Sequence, residues 1–256
     1  TASMWLVLAF SLTITLLMRY VLMDSTDPEN SKILYILPLT CIFLIPTLHR
    51  TVMPERFVEH YGGGTWFKAA FLHTFTFLAL SFLLVNPPFG DIAAPELASK
   101  WTVVADDGEE LAYPHSMATS GATLTWYTEG SPILEGEAWL LFGLMDNVNS
   151  DGAVVEVTRE YQANETIRED NISYWNSNAE RIANGTSTSN KSAPNLTPHG
   201  DLDQPFSVYL GTDLEEGTHK IVVKITEEGD PWENVQRYTW NLVISSESAV
   251  QDSMSE

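Results

Sequence analysis

All of this chain's net charge lies on one side of a boundary near residue 90. Through Pro88 five acids, Asp24, Asp27, Glu29, Glu55 and Glu59, balance five bases, Arg19, Lys32, Arg50, Arg56 and Lys68. From Phe89 onward 29 of the 34 acids face 8 of the 13 bases, which accounts for the whole −21. The neutral half also holds the long apolar stretches. Two solvents are implied, lipid for residues 1–88 and water for the rest.

The first apolar stretch runs from Met4 to Met23 with Arg19 as its only charge. About 20 residues at about 1.5 Å each cross a hydrocarbon core of about 30 Å. No small-residue cleavage site follows, so the stretch reads as a retained span, with Arg19 snorkelling to the headgroups beside Tyr20. The second stretch, Ile33 to Leu48, is short and contains Pro38 and Pro46. The third ends at Val85, before the helix stop Asn86-Pro87-Pro88. Three transmembrane helices are therefore expected over 1–88, with the lipid bilayer as their surroundings.

Basic residues in short loops set the orientation. The loop from His49 to Lys68 carries Arg50, Arg56 and Lys68, whereas Asp24 to Lys32 carries one base among three acids. The basic loop is expected in the cytoplasm, together with the N-terminus, which puts everything after residue 86 outside. Sequons at Asn164, Asn171, Asn184, Asn190 and Asn195 agree, because this glycosylation chemistry belongs to surfaces outside the cytoplasm. The first four are the expected glycan acceptors, since Pro198 follows the fifth.

Between Trp101 and Ser245 the apolar residues recur in about seven short β-branched and aromatic runs, each bounded by turn chemistry such as Asp107-Gly108, Glu129-Gly130 and Glu228-Gly229-Asp230-Pro231. Ile221, Val223 and Ile225 alternate with Lys220 and Lys224, and Tyr238, Trp240, Leu242 and Ile244 share a face in the next run. An all-β, antiparallel sandwich is expected over 89–245. The segment LEEGTHKIVVKITEEGDPWENVQRYTWNLVIS resembles the closing hairpin of immunoglobulin-like and fibronectin-like extracellular domains. An immunoglobulin-like ectodomain is what that resemblance implies, although the Cys-Trp-Cys core of antibody domains is absent. The acidity and the sequons are similar to those of surface proteins from salt-adapted archaea. Residues 162–204 hold few large apolar side chains and read as a solvated polar insertion, with a disordered tail over 246–256.

Candidate chemistry is sparse. Asn147, Asn149 and Asp151, followed by Gly152, match the first half of a calcium loop, the one cofactor suggested. The twelfth position is Thr158 instead of Glu, and a hairpin turn accounts for the same residues. His115-Ser116-Met117 offers two soft ligands, but the sole thiol, Cys41, lies in a span, which excludes a blue-copper site. His73 is the only histidine well inside a span and has no acidic partner there, so a hydrogen bond to Thr40 or to a backbone carbonyl is expected. The loop from His49 to Lys68 suggests a short interfacial helix, Pro54 to Tyr61, a hinge at Gly62 to Gly64, and Trp66 as an anchor.

No catalytic motif appears, and so large an excess of acid excludes nucleic acid as a partner. The expected function is non-enzymatic: a membrane-anchored binding or accessory-subunit protein that meets a protein partner through the ectodomain or the cytoplasmic loop. The alternatives are a membrane enzyme or transport-complex component using His73 or the 49–68 loop, and calcium-dependent surface adhesion.

Overall fold

In a computed structural model, which describes residues 2–146, 152–189 and 191–248, the chain divides into two compact units. The first comprises Thr1–Ile92 with Gly229–Glu233, and the second comprises Ala93–Glu228 with Asn234–Glu256. The division after Ile92 falls beside the charge boundary.

Three helical stretches in the first unit, Ala2–Leu22, Ile33–Val52 and Gly63–Leu84, are long and apolar enough to cross a membrane. The first is α1 (Ala2–Leu17) continued by one wide π-type turn, Met18–Leu22, closed by Met23 N–H donating to the Met18 carbonyl at 2.9 Å. The second is broken by its prolines into α2 (Ile33–Thr40), a tighter 3₁₀ turn (Cys41–Leu44) and α3 (Ile45–Val52). Pro38 and Pro46 lack the N–H groups that would continue a regular ladder. The short α4 (Glu55–Val58) precedes α5 (Gly63–Leu84), the longest helix. Gly63 and Gly64 lie in the first turn of α5, and the expected interfacial helix is reduced to one turn. Trp66 is not a free anchor. It packs edge-on with His49 and Tyr61, at ring-centre distances of 5.6 and 5.2 Å.

Nine strands form the second unit among the described residues: β1 (Glu96–Asp106), β2 (Leu111–Ala112), β3 (Thr123–Tyr127), β4 (Ile133–Met145), β5 (Val154–Tyr161), β6 (Asn164–Glu169), β7 (Gln204–Glu215), β8 (Gly217–Glu227) and β9 (Asn234–Ser245). One sheet has the order β2-β1-β4-β7 and the other β3-β9-β8-β5-β6. Every pairing is antiparallel except β3 with β9. The main core draws on both sheets, with Trp101, Leu140, Phe142, Val157, Val208, Ile221, Val223, Trp240 and Leu242. Trp101 and Trp240 stack at 4.7 Å. Burial of whole aromatic and branched side chains, at about 1.5–3 kcal/mol each, is the main stabilising term here.

The alternation read in β8 is present, with Ile221, Val223 and Ile225 fully buried and Lys220 exposed. In β4, by contrast, every residue from Ala138 to Leu144 is buried. Its second face is covered by α6 (Ile172–Asn184), which carries Tyr174, Trp175 and Ile182 onto Trp139, Leu141 and Val104. The segment 162–204, expected to be a solvated insertion, therefore supplies one strand and one packed helix. Asn171 caps α6, its side-chain oxygen accepting from the Tyr174 N–H at 3.3 Å. Further along, Leu196 closes over β4 at Gly143, where any Cβ would collide with the Leu196 carbonyl.

Candidate functional site

Among the described residues, the buried polar side chains Ser11, Thr15, Arg19, His49, His73 and Ser81 of the first unit arise from the helical stretches. On α5 the residues Ala69, His73, Phe77 and Ser81 recur every four positions and form its buried face, and on α1 Val7, Ser11 and Thr15 do the same. Small side chains at this spacing let two helices approach closely. Ser11 and Thr15 also turn hydroxyls back to the Val7 and Ser11 carbonyls, each at 2.8 Å.

His73 is completely buried. Its Nε2 lies 3.1 Å from the Pro38 carbonyl and its Nδ1 lies 2.8 Å from Ser11 Oγ. A carbonyl only accepts, so this geometry assigns the proton to Nε2 and makes Nδ1 the natural acceptor of the serine hydroxyl. Ser11 Oγ is equally near Val7 O, and its single proton serves one acceptor at a time. The ring thus joins all three helical stretches, with the accepting carbonyl at the proline that breaks the second. The partner anticipated as Thr40 or a carbonyl is the Pro38 carbonyl, and Thr40 instead turns back to Leu37 O at 2.6 Å. His49 is also fully buried, with Nδ1 donating to Ile45 O at 2.9 Å.

Arg19 departs from the snorkelling expectation. Only 2% of the residue is exposed, and its guanidinium turns inward from the wide turn at the end of α1. Nε donates to Leu84 O at 3.0 Å, Nη2 donates to Phe89 O at 3.3 Å, and Nη2 pairs with the Asp230 carboxylate at 2.6 Å. Leu84 O is one of the last carbonyls of α5, which its own helix leaves unsatisfied and which favours a cation. Asp230 comes from the Gly229–Glu233 segment of this unit, and Asp91 and Asp230 exchange backbone hydrogen bonds at 2.9 and 2.8 Å. Trp232 of the same segment packs with Met18, Met23 and Phe77, and its Nε1 donates to Met23 O at 3.2 Å. Desolvating a charge is costly unless it is paired and hydrogen-bonded, and here it is both. The sequence signal for this pair was an arginine near a span's end with no acid in the other spans. Its partner lies 211 positions away in a turn motif that reads as ordinary.

In the second unit the most elaborate polar cluster joins α6 to β1. Arg181 grips Asp106 with two bonds, Nη2 to Oδ1 at 2.6 Å and Nη1 to Oδ2 at 2.9 Å, and Tyr174 donates its hydroxyl to Oδ2 at 2.8 Å. Tyr174 meanwhile stacks on Trp139 at 3.7 Å. Burial pushes the Asp106 carboxyl up, but Arg181, the Gly108 N–H and Tyr174 outweigh it and hold the group below the usual carboxylate range. Burial, then the bond to Asp106, pushes Tyr174 upward. These groups secure the helix that covers β4.

The remaining candidates are scattered. Asn147, Asn149 and Asp151 of the half-matched calcium loop lie outside the described residues, as does Asn190. Asn164, at the start of β6, and Asn171 and Asn184, at the two ends of α6, are all exposed. The cap formed by Asn171 uses its oxygen and leaves the amide nitrogen, where a glycan would attach. Met117 is buried in the cluster beneath α6, while His115 reaches toward Thr188 Oγ1 at 3.4 Å, so the two are not presented together to one ion.

No family model and no curated protein matches the chain. Among solved structures it is similar to the CooA pilin subunit from enterotoxigenic Escherichia coli, at 13% identity and a TM-score of 0.19, over 58% of this chain and 99% of that one. A likeness at that level carries no argument about this chain.

Proposed function

We propose that the chain is a membrane-anchored binding or accessory-subunit protein, with residues 1–88 in the bilayer and the acidic sheet unit on the extracytoplasmic side. The carrying observation is the use made of the polar groups among the spans. Both ring nitrogens of His73, and Nε and Nη2 of Arg19, are engaged in joining helices and the returning segment to one another. Such groups are the default candidates for relay or transport chemistry in a membrane protein. At His73 and Arg19 that hydrogen-bonding capacity goes into assembling an anchor, which favours a holding role over the alternative of a membrane enzyme or transport component. The basic 49–68 loop supports the orientation, and the exposed Asn164, Asn171 and Asn184 support glycosylation.

The outer unit is read here as immunoglobulin-like. Its first, fourth and seventh strands lie adjacent in one sheet, and its ninth, eighth and fifth in the other. This matches the A-B-E and G-F-C arrangement of that fold, with α6 in the connection that would hold strand D. Binding through such a domain uses its strands and loops as a rigid platform.

The test is chemical crosslinking in native membranes followed by affinity capture of the full chain. A discrete, stoichiometric protein partner retained by a His73→Leu variant supports the reading. Loss of the cell's dependent function on His73→Leu, with the partner still bound, would favour the relay alternative.

A further inference from the structure

We propose that the outer unit carries an oxyanion-binding site formed by Arg159 and Arg168 at the edge where β6 meets β7, with a carboxylate, phosphate or sulfate group as its ligand. The inference stands independently of the membrane reading.

Only eight bases occur after residue 88, against 29 acids, and two of them are neighbours on adjacent strands facing inward. Arg168 pairs with Val157 across the β5–β6 ladder, one inward position from Arg159. Neither makes an ion pair among the described residues. The Nε of each is shielded from solvent and has no hydrogen-bond partner. Arg168 lies over the Tyr209 ring at 5.7 Å, and among the described residues its guanidinium makes no hydrogen bond or ion pair. Two half-buried like charges without a counter-charge oppose folding, and an unpartnered N–H shielded from water adds to that cost. In so acidic a chain, the absence of an acid from this position needs a reason.

The surroundings fix one arginine and leave the other open. Arg159 Nη1 lies 3.2 Å from His219 Nδ1, and His219 Nε2 lies 2.8 Å from the Glu215 carbonyl. A guanidinium donates and a carbonyl accepts, so His219 carries its proton on Nε2. Its ring is stacked on Tyr161 at 4.2 Å. Burial first, with the Arg159 charge assisting, lowers the His219 pKa against the opposing bond to Glu215. Burial, and then Arg168, likewise pulls Arg159 below its ordinary value. The Glu215 side chain is near enough to influence Tyr161 and His219, yet it bridges to neither arginine.

The local backbone makes room for this arrangement. The β4–β7 register shifts between the Ala138–Gly211 and Trp139–Tyr209 pairs, a bulge of the kind that re-aims side chains at a sheet edge. Gly211 follows with φ +142, and a Cβ there would lie 3.6 Å from Arg159 Nη2. The Tyr209 hydroxyl, 2.5 Å from Thr212 Oγ1, supplies a further polar group at this edge. Guanidinium forks match the paired oxygens of carboxylate, phosphate and sulfate, whereas chloride offers no such geometry.

The test uses the full chain in detergent micelles at constant ionic strength, with chloride replaced in turn by sulfate, phosphate or acetate. Unfolding is followed by tryptophan fluorescence for wild type and Arg168→Gln. At least one oxyanion should raise the wild-type Tm by several degrees more than that of Arg168→Gln, the difference removing the general salting-out effect common to both. In chloride alone Arg168→Gln should melt no lower than wild type, because a like charge has been removed. Preference for acetate would identify a carboxylate ligand, and preference for phosphate or sulfate a tetrahedral one. Equal responses of the two proteins to all three anions would overturn the proposal. So would an Arg168→Gln destabilised equally in chloride and oxyanion, which is the signature of an arginine that only packs on Tyr209. Should Arg168→Gln fail to fold, Arg168→Lys keeps the charge but loses the fork. It should then show about a tenfold weaker apparent anion affinity, and an unchanged affinity would count against the site.

Discussion

The helical and sheet units distribute polarity in opposite ways. Among the helices, Phe67, Phe71, Phe75 and Phe82 point outward, while Ser11, Thr15, Arg19, His49 and His73 are buried. In the sheet unit the aromatic and branched side chains are inside, and most carboxylates are on the surface. On the proposed membrane reading, the physical cause is the solvent. Water drives apolar area together, so a sheet core is held by burial, whereas lipid is as apolar as leucine and offers no such drive. Helices in lipid need close packing and hydrogen bonds, and the polar residues inside the first unit provide them.

The sharpest break of this comparison is truncation of large apolar side chains in each unit. Leu140, with no exposed surface, lies between the two sheets, and Leu140→Ala should destabilise the sheet unit by about 3 kcal/mol. Phe71, 53% exposed on α5, faces outward, and Phe71→Ala should change helix-unit stability by less than about 0.5 kcal/mol. Denaturant titration of the full chain in micelles reads both, and equal losses would show that the helical unit is held by burial as well.

Next in size is the ion pair made by the buried Arg19. Arg19→Leu should destabilise the helical unit by about 2–3 kcal/mol, because Asp230 and the Leu84 carbonyl lose their partner together. Asp230 is largely exposed, so Asp230→Asn should cost less than removal of the arginine, and a double-mutant cycle should return a positive coupling. Additive effects would mean that the two side chains do not interact.

In the sheet unit, Asp106→Asn should cost about 2 kcal/mol at neutral pH, since it removes the charge that Arg181 and Tyr174 grip. Because the folded-state pKa of Asp106 is lowered, its contribution is complete above the unfolded value near about 4 and is lost as pH falls through the folded value. The difference between wild type and Asp106→Asn should therefore shrink below about pH 4. A difference independent of pH would assign the loss to packing alone.

Among the polar side chains the smallest effect is expected at His73. His73→Leu removes the bonds to Ser11 and Pro38 from among the helices and should cost about 1 kcal/mol, the scale of interhelical hydrogen bonds in membranes.

Much of the fold is legible in the residues, and the illegible parts have definite causes. Three spans follow from length and hydropathy, and the strands from alternation and Asp-Gly or Glu-Gly turns, as in β8. The helix α6 was hidden because Tyr174, Trp175 and Ile182 are diluted by Asn, Ser and Glu, and because its Asn171 cap also reads as a sequon. The unbroken burial of β4 from Ala138 to Leu144 is explained only once α6 is seen to cover its second face. At the sites, His73 is expected to bond Thr40 or a backbone carbonyl, and of these two it is a carbonyl, that of Pro38, which it meets. Arg19 could not be placed, since its partner arrives from a segment far along the chain. The Arg159 and Arg168 pair is equally nonlocal, because inward-facing arginines on β5 and β6 are recognisable only once the two strands are in register.

The most direct test of the central claim is the sidedness of the full chain in sealed membrane vesicles of known orientation. Single cysteines are introduced at Ser120 and at Arg56 in a Cys41→Ser background and treated with a membrane-impermeant maleimide. With the extracytoplasmic face outward, the account predicts labelling at residue 120 and none at residue 56 until the vesicles are opened. Labelling at residue 56 alone, or at both positions in intact vesicles, would contradict a membrane anchor with an outward-facing acidic domain.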